Sequence, residues 1–150
     1  VCNLCWWVGW WVCSVSTMLL WGCALVLSLS TGYRTAIAFH QASRNGNVER
    51  VMELVECQGT SKLDINGGFL RAASNGHVGV MEYLLEKGAS DVTGALVCAA
   101  VHNQMRTVKY LTYHPNVPVD RTALKFAAVA AGNNDAVDVE FFLLTKLRHG

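Results

Sequence analysis

From Val1 to Tyr33 the chain carries no aspartate, glutamate, lysine or arginine; its 12 basic and 11 acidic residues all fall between Arg34 and the C-terminal end. That absence splits the 150 residues into two unlike parts. Net charge is the second thing missing: the sum is +1 at neutral pH, and no long basic run occurs. A chain balanced in this way lacks the electrostatic footprint with which proteins hold nucleic acid, so no nucleic-acid partner is expected. Metal ligands are poorly supplied too. Cys2 and Cys5 make a C-x-x-C spacing, but no second pair and no suitable histidine pair completes a zinc site. Cys57 and Cys98 read as reduced thiols, Cys98 on a core face, and not as a disulfide framework. The two prolines, Pro115 and Pro118, both fall in YHPNVPVD, which marks a loop.

The uncharged leader contains Trp6, Trp7, Trp10 and Trp11 near one end and Tyr33 at the other. As a helix, 4–30 is long enough to cross roughly 30 Å of hydrocarbon, with aromatic residues at both interfaces. Arg34, Arg44 and Arg50 follow it and no cation precedes it, so a span would leave the C-terminal part in the cytoplasm. Two other readings stay open. Ser28, Leu29 and Ser30 offer the small residues of a signal-peptide cleavage site, and Met18 offers a start for a shorter apolar core. Alternatively the stretch is translated non-coding sequence, or a buried or disordered leader. The expected organisation is an apolar N-terminal helix over 1–33 and a folded domain over 34–150.

Within that domain the chain repeats itself. FHQASRNGNVERVMELVE starts at Phe39, FLRAASNGHVGVMEYLLEKGA at Phe69, LVCAAVHNQMRTVKYLT at Leu96 and LKFAAVAAGNNDAVDVEFFLL at Leu124, so the starts lie 30, 27 and 28 residues apart. Ala42, Ala72, Ala99 and Ala127 recur as small residues, and Gly46, Gly76, Asn103 and Gly132 mark a turn. Each unit reads as two short helices. Phe69 to Asn75 is alanine-rich and helix-favouring, and Gly76 supplies the left-handed stop. Val78 to Lys87 then sets Val78, Met81, Leu84 and Leu85 on one apolar stripe, and Gly88 ends it. One such pair cannot bury its own apolar face, whereas stacked pairs bury a continuous core. The fold class is therefore all-α, a helical-repeat solenoid of about four helix-turn-helix units near 36–66, 67–93, 94–121 and 122–150.

These units resemble ankyrin repeats. Phe39, His40 and Ala42 occupy the family's L-H-x-A, with Gly46 and Asn47 at its G-H; Ala72, Ala73, Gly76, His77, Leu84, Leu85, Gly88 and Ala89 match in the second unit. The third keeps Ala99, Ala100 and Leu111, with Asn103 and Gln104 at G-H, and the fourth keeps Ala127, Ala128 and Gly132 ahead of about three extra residues. The units are shorter than the family's repeat of about 33 residues. The Thr-Pro that opens each family helix is replaced by Gly67-Gly68 and Gly94-Ala95, with Thr122-Ala123 the nearest approach. The shortened segments are the loops that carry the family's β-turn fingers.

The resemblance implies a protein-binding scaffold with no chemistry, no cofactor and a protein partner. It puts the variable contact residues on the first helices and the loops before them, with Gln41, Arg44, Arg71, Ser74, Val97 and Val101 as candidates. It also gives His77 and His40 structural roles, the imidazole of His77 tying the turns of adjacent repeats. Independently of the resemblance, Asp135, Asp138 and Glu140 read as a solvated helix start, and no Ser-His-Asp order, nucleophile elbow, phosphate loop or HExxH string occurs. The alternatives to a cytoplasmic or membrane-anchored scaffold are the recognition fragment of a larger enzyme and a secreted repeat protein.

Overall fold

A computed structural model describes residues 32–60, 63–115, 117 and 119–149. The leader expected over 1–33 lies outside them except for Gly32 and Tyr33, which are helical. The chain divides into Val1–Ala36 and Ile37–Gly150. The described residues of the first unit, 32–36, are helical, with Thr35 Oγ1 donating to the Gly32 carbonyl at 2.8 Å. Among the described residues no helix is long and apolar enough to cross a membrane.

The second unit opens with helical residues 37–45 (α1). It continues with α2 Val48–Gln58, α3 Ile65–Ser74, α4 Val78–Glu86, α5 Val92–Val101, α6 Met105–Tyr113, α7 Arg121–Gly132 and α8 Val137–His149. The described residues are all-α; no strand occurs among them. Within pairs α3 packs on α4, α5 on α6 and α7 on α8; between pairs odd helices meet odd helices and even meet even.

Each pair is joined by the same turn. The amide before the even helix donates back five residues: Asn47 to Ala42, His77 to Ala72, Gln104 to Ala99 and Ala136 to Ala131, at 3.1, 3.0, 2.8 and 3.0 Å. This is the Schellman closure, which needs a left-handed residue just before the donor. Gly46 and Gly76 supply it at φ +75° and +79°, Asn103 and Asp135 at +54° and +56°.

The fourth turn therefore differs from the sequence expectation. Gly132 is the last residue of α7, and Asp135 holds the turn. The register of α7 moves with it: Ala131, not Ala127, matches Ala42, Ala72 and Ala99, while Ala127 falls in the column of Gly68 and Ala95. Both alanines are fully buried. They lie one helical turn apart on one face, so burial alone does not reveal the shift.

The odd helices begin earlier than the glycines suggested. Asp64 and Asp91 are N-caps whose side chains accept from Gly67 N at 2.8 Å and Gly94 N at 2.9 Å. Unit boundaries drawn at 67 and 94 thus cut through the first turns of α3 and α5. An aspartate cap supports a helix start by about 1 kcal/mol, which removes the need for Thr-Pro. Asp120 is the N-cap of α7 with a different bonding pattern, accepting from the adjacent Arg121 N and from Thr122 Oγ1.

The layers stack through small residues. A Cβ added to Gly68 would stand 2.5 Å from the buried Phe39 ring, so α3 and α1 touch at a place where only hydrogen fits. Val51, Met81 and Val108 and, one turn on, Leu54, Leu84, Leu111 and Leu143 form the buried columns of the even helices. At the fourth layer the pattern breaks: Glu140 stands in the Met81 column, and its carboxylate lies about 3 Å from where a Gly132 Cβ would be.

Candidate partner-binding surface

The turn register sorts the exposed positions of the odd helices. Gln41, Arg71, Cys98 and Ala130 fall in one column, Arg44, Ser74, Val101 and Asn133 in a second, and His40, Leu70, Val97 and Val129 in a third. Five of the six candidate residues thus share two neighbouring columns; Val97 belongs to the third. Gln41, Arg44 and Arg71 are exposed, while Ser74, Val97 and Val101 are half-buried.

Local bonding fixes this surface. Gln41 Nε2 donates to Asn45 Oδ1 at 3.3 Å along α1. Ser74 Oγ donates to the Leu70 carbonyl at 2.9 Å, so its proton is already engaged. The carbonyl of Arg71 accepts from Asn75 Nδ2 at 2.8 Å, and that of Arg44 is held by His77 Nε2 at 2.9 Å. The His77 contact bridges layers: the ring lies over Gly46 of the preceding turn, where a Cβ would meet it at 2.5 Å. Gln104 occupies the same place over Gly76. Neither His77 nor Gln104 caps its own helix with its side chain, because each reaches back to the layer before.

His40 lies between the first two layers, 3.1 Å from the Cβ position of Gly67. Burial lowers its pKa, the Arg71 guanidinium lowers it further, and Asp64 opposes both. Its Nδ1 is buried with no hydrogen-bond partner. The other two groups with displaced pKa values sit on different elements. Burial, then Glu82 and Glu86, raise that of Tyr110 on α6; hydrogen bonds from Thr122 and the Arg121 amide lower that of the cap Asp120. A cavity of about 340 Å³ between α4 and α6 is lined by Glu82, Glu86, Tyr110 and His114. No group of three His, Cys, Asp or Glu among the described residues is placed to hold a metal.

Sequence reasoning missed Phe126 and Val129 on α7, which are 66% and 63% exposed. Their signal was Ala123, Ala127 and Ala131 at i, i+4 and i+8: the buried stripe of that helix leaves Phe126 and Val129 on its far side. With them the odd-helix surface has two halves. Arg44 and Arg71 make the first two layers cationic; Val97, Val101, Phe126 and Val129 make the last two more apolar, with Lys125 also exposed on α7. A scan of protein-family models and searches of curated proteins and of solved structures find no match to this chain.

Proposed function

We propose that Ile37–Gly150 is an ankyrin-like helical-repeat solenoid of four layers and acts as a protein-binding module without catalytic chemistry. The observation that supports this reading is the register: four turns, each closed by an amide bonding back five residues, relate the positions of successive odd helices in columns. Helix pairs that bury a shared core and leave such columns outward form a rigid, pre-shaped surface, which lowers the ordering cost of binding. The half-buried Val97 and Val101 and the exposed Phe126 and Val129 supply desolvation, and Arg44 and Arg71 supply directional, charge-assisted bonds. The complementary partner is a protein segment with carboxylates beside large apolar side chains. The module differs from the family pattern in its links: among the described residues those between layers hold no strand, so the odd helices carry the recognition.

Photo-crosslinking tests this. A benzophenone amino acid at Arg71 or Val101 is expected to capture one discrete partner, and at Glu82 or Lys109, on the even helices, none. R44E combined with R71E should abolish the capture while the circular dichroism stays helical. Equal capture from both faces ends the reading. The uncharged leader adds the proposal that the module is held at a membrane with its layers in the cytoplasm; release of the full chain by alkaline carbonate would rule that out.

A further inference from the structure

The cavity of about 340 Å³ between α4 and α6 is bounded by the C-terminal turns of both helices and by the segments that follow them. A volume of that size suits a small molecule. Its walls are of two kinds. Ala89, Val92 and Val117 are buried and, with Leu85, give it an apolar side. Glu82 and Glu86 stand exposed at i and i+4 on α4, so both carboxylates share one helix face. Neither is ion-paired among the described residues, where the one salt bridge joins Arg50 to Glu53. Tyr110 and the α6 C-cap His114 complete the lining, their ring centres 5.0 Å apart.

Two observations set this cavity apart from a packing gap. Five buried side-chain polar atoms lack a hydrogen-bond partner among the described residues, and two of them, Tyr110 Oη and His114 Nδ1, belong to this one lining. Buried polar atoms are ordinarily paired, so a pair of orphans in one place calls for an explanation. The second observation is a contrast between layers. In the turn register Tyr83 corresponds to Tyr110 and Lys87 to His114. Lys87 Nζ lies 5.2 Å from the centre of the Tyr83 ring, so the second layer supplies a cation to its own tyrosine. The third layer has a histidine in place of that lysine, and faces its tyrosine with two carboxylates of the layer before.

We propose that the cavity binds a small organic cation whose head carries several N–H donors on a short apolar stem, an alkylguanidinium being the type. A guanidinium presents five N–H donors in one plane and accepts none. One edge bonds the carboxylates of Glu82 and Glu86. The other donates to Tyr110 Oη and to His114 Nδ1, which accepts in the Nε2–H tautomer. The stem rests on Leu85, Val92 and Val117. The site lies on the even helices and does not depend on what the odd-helix columns bind.

Isothermal titration of the full chain with butylguanidinium tests this. Butyltrimethylammonium, a cation without N–H groups, and pentanamide, an N–H donor without charge, are the comparison probes. Butylguanidinium is expected to bind one site with a Kd of roughly 0.1–1 mM, and the other two at least tenfold more weakly. E82Q combined with E86Q should weaken binding at least tenfold and Y110F about threefold, each with the helical circular dichroism intact. E49Q removes a carboxylate of α2 outside the cavity and should bind as the parent does. Absence of saturable binding up to about 10 mM, equal binding of butyltrimethylammonium, or an E82Q/E86Q or Y110F chain that binds like the parent overturns the proposal.

Discussion

Replacing Gly76 and Gly132 by alanine separates two readings of the fourth layer. The repeat pattern places both glycines at equivalent turns, so both changes would destabilise alike. In the structure Gly76 has φ +79°, and an added Cβ would lie 2.5 Å from Gln104 Oε1. A left-handed L-residue costs about 1–2 kcal/mol, and restricting the unfolded chain returns about 0.4–1 kcal/mol of that. Moving Gln104 off the turn adds to the loss, so G76A should be less stable by about 1 kcal/mol. Gly132 is helical and exposed, and its added Cβ would meet only the movable carboxylate of Glu140. Alanine is favoured there by about 0.5–1 kcal/mol, so G132A should be neutral or more stable. For a unit of this size the two variants should melt several degrees apart, on opposite sides of the parent. Urea and thermal denaturation followed at 222 nm reads this directly. Equal destabilisation by both substitutions would refute the register built on Asp135.

Other consequences follow from single contacts. Thr107 is fully buried with its hydroxyl unpartnered, in the column of Val80 and Val139; T107V should raise stability by about 1 kcal/mol, and a loss in urea midpoint would contradict that account. G68A forces a Cβ onto the buried ring of Phe39 and should cost about 1–3 kcal/mol; a neutral result would mean the first two odd helices are not in contact. His40 has a folded pKa below its ordinary 6.5, chiefly through burial, then through Arg71 and against Asp64. The unfolded chain therefore takes up the proton first as pH falls. The stability linked to this group is complete above pH 6.5 and declines from there until the folded pKa is passed. Denaturation midpoints of H40Q should show a shallower decline below pH 6.5 than the parent, and parallel curves would remove this role from His40.

The second unit of the repeat was the most legible. Ala72, Gly76, Leu84 and Gly88 state a helix, a left-handed stop, an apolar stripe and a second stop, all by local rules. The aspartate caps were legible in principle: Asp64 and Asp91 each stand three residues before a glycine whose amide they accept. They differ from the Thr-Pro opening that the family resemblance implies, so the resemblance does not point to them. The candidate residues were found by position in the repeat, so five of the six fell in shared columns. Phe126 and Val129 stand one before and two after Ala127, the spacing of Arg71 and Ser74 about Ala72, so the repeat pattern itself puts them in candidate columns; what only the structure shows is their exposure.

Composition and spacing alone determined that the chain folds as short paired helices, because propensity, glycine stops and a 3.6-residue apolar stripe act over neighbouring residues. What only the tertiary structure decided is which residues are equivalent between layers. Asp135 could serve as the turn, and Ala131 as the partner of Ala72, because burial of either alanine satisfies the same face. The choice was made by packing the longer α7 against α5 and α8.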